Sequence, residues 1–116
     1  MFVQVVTIRC QKGLEEQLLN NGKKNLISYY QYAGCVEVDF LEPNTGHPPF
    51  TYELISIWEN EETLNTMKNS LSYRELLNSI TPIVYLLTEV VYSKNQSKYE
   101  DANVSFIEVS TTRNAI

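Results

Sequence analysis

Few residues in this chain have the chemistry to drive a reaction, and they are scattered. Trp58 is the single tryptophan. It lies in a run, Tyr52 to Glu59, in which Tyr52, Leu54, Ser56 and Trp58 share one face by the two-residue period of a strand. A second run, Phe2 to Cys10, sets Phe2, Gln4, Val6 and Ile8 on one face and Val3, Val5 and Thr7 on the other. Gln4 and Ser56 are thus polar groups where apolar ones are expected. Such groups either line a pocket or hydrogen-bond to each other or to water. Trp58 has two readings of the same kind: core packing on Met67 and Leu64, or an aromatic wall for a flat ligand. The eight tyrosines add a further choice, with Tyr29, Tyr30 and Tyr32 in one cluster and Tyr73 and Tyr85 elsewhere. A buried tyrosine hydroxyl could orient a substrate oxygen, while the simpler expectation is an amphipathic residue at the rim of a core.

The remaining polar residues offer less. Arg9, Glu37, Asp39 and Glu89 fall in strand-like runs, and paired carboxylates could do acid–base work. Ion pairs or solvated groups near a dimer rim are the plainer expectation. Cys10 and Cys35 are expected to be unreactive free thiols, since the sequence places no base beside either. One histidine, His47, and two separated cysteines cannot build a conventional zinc site. The net charge is -5, and the nine Lys and Arg residues are scattered, which is no footprint for nucleic acid. No apolar run approaches the roughly 18 residues of a membrane span. The alternating start, MFVQVVTIRC, does not read as a signal peptide, so a cytoplasmic location is expected.

The elements that must position these residues follow from periodicity. After the first strand, Leu14 to about Tyr32 reads as a helix, with Leu14, Leu18, Gly22, Leu26, Tyr30 and Ala33 in one stripe. Gly22 in that stripe suggests a close approach of the helix to the sheet, and Gly34 ends the helix. Cys35 to Glu42 alternates as a second strand, and Pro43 to Pro49 is a loop. After the third strand, Asn60 caps a helix whose first turn holds Glu61 and Glu62. The Ser72-Tyr73-Arg74-Glu75 run matches a capping box, so the helix is expected to break near Ser70 and restart at Tyr73. Val84 to Tyr92 is a fourth strand. A polar tail from Ser93 leads to Val104–Val109, a short run suited to an extra edge strand.

The order strand, helix, strand, strand, helix, strand is the split βαβ pattern: an α+β, ferredoxin-like fold with an antiparallel sheet and both helices on one face. That leaves Val3, Val5, Ile55 and Ile57 on the uncovered side. An apolar sheet face of that kind calls for a partner, and a second copy packed sheet to sheet would supply it.

The opening strand, Lys12-Gly13 with Glu15-Glu16, Gly34-Cys35, the run Trp58-Glu59-Asn60-Glu61-Glu62-Thr63-Leu64, and then Ser70 and Tyr73 together resemble the antibiotic biosynthesis monooxygenase superfamily over roughly residues 2 to 92. The resemblance implies a dimeric α+β barrel with a ligand pocket between sheet and helices. It does not fix a reaction, since members include cofactor-free oxygenases, haem-degrading enzymes and an isomerase. Several of the superfamily's polar residues are replaced here. Leu77 stands at the haem-ligating position, Val6 near an asparagine of the same branch, Met67 in place of a histidine, and Leu54 in place of an asparagine. Haem use is therefore not expected, and no cofactor is. The expectation is a domain over residues 1–93, a tail over 94–116, and a homodimer. The chain is read as a cofactor-independent monooxygenase of a small aromatic or quinol-like substrate, with Trp58, Tyr73, Met67, Gln4 and Ser56 around the pocket. The alternatives are a non-catalytic dimer that binds a small hydrophobic ligand or a partner, and a non-redox isomerase.

Overall fold

The computed structural model describes residues 1–44 and 48–93, and the backbone of 111–114. Strand β1, Phe2–Cys10, lies at the centre of an antiparallel sheet. It pairs on one side with β3, Thr51–Trp58, and on the other with β4, Val84–Ser93. The outer strands are β2, Glu37–Leu41, beside β3, and β5, Thr111–Asn114, beside β4, giving the order β2-β3-β1-β4-β5. The first four strands with the helices make the expected ferredoxin-like α+β fold. No helix of the described residues is long and apolar enough to cross a membrane.

The sheet alternates as the sequence predicts. Gln4, Val6 and Ile8 of β1 and Tyr52, Leu54, Ser56 and Trp58 of β3 are buried beneath the helices, while Val3, Val5, Ile55 and Ile57 on the other face are only partly covered. Register sets Ile55, Val5 and Val90 in one row across three strands, and Ile57, Val3 and Tyr92 in the next. The acids Glu37 and Asp39 of β2 flank these rows, opposite Ile57 and Ile55.

The first helix departs from the expected regular form. It starts at Glu15, runs as an α-helix to Gln17, widens to π geometry over Leu18–Lys23, and returns to an α-helix over Lys24–Ala33. Gly34, in the left-handed conformation that glycine adopts without strain, closes it. The close approach predicted at Gly22 is real, but its partner is not the sheet. A Cβ there would stand 2.9 Å from Leu18 Cδ1 and 3.3 Å from Ile80 Cγ2, so the glycine lets this helix pack on the last one.

Asn60 caps the second helix, Glu61–Lys68, by accepting from the Thr63 amide at 2.8 Å. The break near Ser70 is present, but the third helix restarts at Leu71 and runs to Ile80, two residues earlier than expected. Ser70, not Ser72, is its cap. The Ser70 hydroxyl accepts from the Tyr73 amide, donates to the Met67 carbonyl and pairs with the Tyr29 hydroxyl. Those three partners anchor Ser70 as the cap, and the Ser72–Glu75 pattern falls inside the helix. The strand expected at Val104–Val109 and the loop position of His47 lie outside the described residues. A strand does extend the β4 edge, at Thr111–Asn114, where Thr111 pairs with Glu89 and Asn114 with Leu86.

Candidate functional site

Between sheet and helices, where side chains are otherwise apolar, the structure gathers a connected polar cluster. Gln4 comes from the central strand. Its neighbours across the ladder are Ser56 of β3 and Val91 of β4. Glu89 lies two residues before Val91 and so points to the same face. Tyr30 reaches down from the first helix, Lys68 from the end of the second and Tyr73 from the first turn of the third.

Hydrogen-bond directions follow from the groups themselves. Lys68 Nζ donates to Glu89 Oε1 at 2.6 Å, and Gln4 Nε2 donates to Glu89 Oε2 at 2.6 Å. Gln4 Oε1 accepts from the Tyr30 hydroxyl at 2.7 Å and from Ser56 Oγ at 3.2 Å. Trp58 Nε1 donates to Ser56 Oγ at 2.8 Å. Because Tyr30 spends its proton on Gln4, its oxygen is left to accept from the Tyr73 hydroxyl at 3.0 Å. A single amide, Gln4, thus joins a carboxylate–ammonium pair to two phenols and, through Ser56, to the indole. No buried side-chain nitrogen or oxygen among the described residues lacks a partner.

The aromatic rings pack in a chain beside this network. Trp58 and Tyr30 have centroids 6.0 Å apart, Tyr30 and Tyr73 5.9 Å with edge-on geometry, and Tyr73 and Tyr29 6.2 Å and nearly parallel. Edge and offset contacts of this kind add to the apolar burial of the rings. Burial pushes the Tyr30 phenol well above its ordinary range, and the neighbouring Tyr73 and the Glu89 charge push it the same way. Burial also raises the Cys10 and Cys35 thiols, in keeping with the unreactive thiols expected. Both cysteines are free.

Of the five residues predicted around a pocket, Gln4, Ser56, Trp58 and Tyr73 are brought together in this network, and Met67 is buried close by, bonded through its carbonyl to Ser70. Trp58 is fully enclosed. Glu89 forms an ion pair as expected, but on the covered face and not at a rim, because it shares the inward register of Leu87 and Val91. Tyr30 and Glu89, weighed in the sequence but not placed in the predicted pocket, belong to this network, and Lys68 is the residue that sequence reasoning left out. The signal for Lys68 was its place four residues after Leu64, one helical turn along the buried stripe.

Three hollows border this layer or its edges. A groove of about 400 Å³ lies between the first and second helices at Tyr29, Tyr32, Thr66 and Met67. Another of about 310 Å³ lies at Phe40, Glu42, Thr51 and Glu53. A notch of about 30 Å³ lies over Lys68, between Phe2, Leu64 and Val91. None of these three is lined by Trp58.

Comparison with known proteins places the fold. No family model matches the chain, and no curated protein matches it by sequence. Solved structures do match. One is SnoaB, a cofactor-independent oxygenase from Streptomyces nogalater, with a TM-score of 0.67 at 10% identity, covering 85% of this chain and 97% of that one. Another is an antibiotic biosynthesis monooxygenase, with a TM-score of 0.65 at 14% identity over 78% of this chain and 95% of that one. A third is a conserved protein from Methanosarcina mazei, with a TM-score of 0.68 at 16% identity over 82% and 94%. The chain has the fold of the antibiotic biosynthesis monooxygenase proteins, as the resemblance of its sequence motifs implies.

Proposed function

We propose that this chain is a cofactor-independent monooxygenase of a small phenolic or quinol-like substrate, working as a homodimer in which residues 1–93 form the catalytic unit and 94–116 an appendage. The observation that carries this reading is the polar network beside Trp58. Burying a carboxylate, an amide and two phenols in one layer, with a partly exposed ammonium beside them, is costly unless each is paired, and such clusters concentrate at sites of chemistry. The shared fold with a named cofactor-independent oxygenase points the same way.

The chemistry needs little from the protein. A phenol and dioxygen yield a quinone and water: one oxygen atom enters the ring, the other leaves as water with the two hydrogens lost. The substrate supplies the electrons. The protein supplies a proton acceptor, for which Glu89 is the carboxylate at hand, and hydrogen-bonding groups such as Tyr73 and Gln4 that orient the phenolic oxygen. Trp58 and Tyr30 form the aromatic wall and keep water out. Trp58 and Tyr30 are fully buried, so on this reading the substrate ring enters by displacing side chains from the helix side.

The test is a thermal-shift screen with phenols and quinols, followed by oxygen uptake with any ligand that binds. Trp58→Phe should keep the fold but diminish both the ligand-induced melting shift and turnover. An equal shift in wild type and variant, with wild-type tryptophan fluorescence unaltered by ligand, rejects the site.

A second reading is favoured by one observation. Every buried side-chain nitrogen and oxygen among the described residues is satisfied internally, and Trp58 has no exposure. On that reading the network is a specifying core in a non-catalytic binding dimer. It predicts that no phenol or quinol is oxidised above the spontaneous rate.

A further inference from the structure

We propose that the notch over Lys68 is a dioxygen site and that Lys68 stabilises the superoxide formed there. This deepens the monooxygenase reading and rests on it. The notch is about 30 Å³, room for a diatomic molecule and far too small for an aromatic ring. Phe2, Leu64 and Val91 give it apolar walls, which suit an uncharged gas, while Glu61 and Asn65 stand at its exposed rim. Lys68 is the cation of the lining, and its ammonium is also the partner of Glu89 at 2.6 Å.

That double position couples two events. Before reaction, the Lys68 charge is cancelled by Glu89, and nothing draws an anion into the notch. When the phenolic proton passes to Glu89, one electron passes from the ring to dioxygen. The products are a phenoxyl radical, superoxide, a neutral Glu89 and a Lys68 ammonium freed from its counter-charge. The net charge of the group is unchanged, but the cation now faces the anion that has formed beside it. The two radicals combine at a ring carbon, the proton on Glu89 moves to the peroxide, and loss of water leaves the quinone. Preorganised charge placed where an anion develops is an effective form of catalysis.

The experiment has two arms. In the first, xenon is the probe of the notch, read from methyl chemical shifts of the intact chain under xenon pressure. Val91 and Leu64 methyls should shift in wild type, and the Leu64 methyls should not shift in Val91→Phe, which fills the notch. Absence of the wild-type shift overturns the gas site. In the second, oxidation of 1,4-naphthohydroquinone is followed while oxygen and quinol are varied separately. Lys68→Met should lower kcat/KM for oxygen about a hundredfold while quinol binding is little changed, and Lys68→Arg, which keeps the charge if Met weakens the fold, should recover much of the loss. A loss spread equally over oxygen and quinol overturns the role of Lys68. A xenon shift in a protein that oxidises no quinol supports the gas site and sinks the monooxygenase reading instead, so the two failures are distinct.

Discussion

Gln4 is the residue on which the buried network turns, because its amide alone offers both a donor for Glu89 and an acceptor for Tyr30 and Ser56. A leucine at this place would leave a carboxylate and two hydroxyls short of partners in a dry layer. Gln4→Leu should therefore cost about 2–4 kcal/mol, measured by urea unfolding, well beyond the effect of a typical surface change. Tyr30 carries a pH signature. Burial raises its phenol above the ordinary value of about 10, so between that value and its folded-state pKa the folded protein keeps a proton the unfolded chain loses. Its contribution to stability is fully present below about pH 10 and falls as pH rises beyond it. Alkaline unfolding followed by circular dichroism should show that decline, and Tyr30→Phe should flatten it. The positions of Gln4 and Ser56 were legible from the period of a strand. Their partners were not, because a hydrogen bond such as that from Gln4 to Glu89 joins residues 85 apart in sequence and depends on a register no local pattern reveals.

At the scale of elements, the break between the second and third helices is held by one hydroxyl. Ser70 Oγ caps the third helix, bonds the last turn of the second through Met67, and receives the Tyr29 hydroxyl at 2.6 Å. Ser70→Ala should cost about 1–2 kcal/mol, the upper range for a cap, measured by thermal or denaturant unfolding. Ser70→Thr, which keeps the oxygen, should recover part of it. The sequence showed where the helix breaks but put the cap at Ser72, since the Ser-x-x-Glu spacing matches a capping box while the one tertiary partner of Ser70, Tyr29, comes from the first helix and lies outside any local window. The π turn over Leu18–Lys23 was hidden for a similar reason. The apolar stripe through Leu18, Gly22 and Leu26 fits a regular helix, and what widens this stretch is not written in its spacing. Gly22 was recognisable as a point of contact, but the element it contacts was settled only by the packing of Ile80.

Across the whole molecule, the partly covered face of the sheet is the surface on which we expect assembly to turn. Two rows, Ile55-Val5-Val90 and Ile57-Val3-Tyr92, form an apolar patch with Glu37 and Asp39 at its β2 edge. A second copy laid on this patch would bury the rows and leave the acids at a solvated margin, where like charges repel least. We expect sedimentation to show a dimer at micromolar concentration, and Val5→Arg, at the centre of a row, to give a monomer with the same far-ultraviolet circular dichroism. A wild-type monomer would remove this reading. The alternation of β1 and β3 made the patch visible in the sequence. The inward turn of Glu89 was as readable in principle, from its even spacing with Leu87 and Val91, but a charged residue in a strand is more often solvated, and that general preference obscured it.

The central place of β1 has a consequence for how the chain is made. Of the strands of this domain, the one that leaves the ribosome first is the one that needs both β3 and β4 at its sides. Until residues 84 to 93 emerge, the nascent chain holds β1 with one edge unpaired and Gln4 without its carboxylate, so a native core cannot close on the amino-terminal segments alone. Synthesis must deliver nearly the full domain before any of it can commit. A chain halted after Ile83 should accordingly remain protease-sensitive on the ribosome, and one extended through Ser93 with a spacer to clear the exit tunnel should become resistant in a single step.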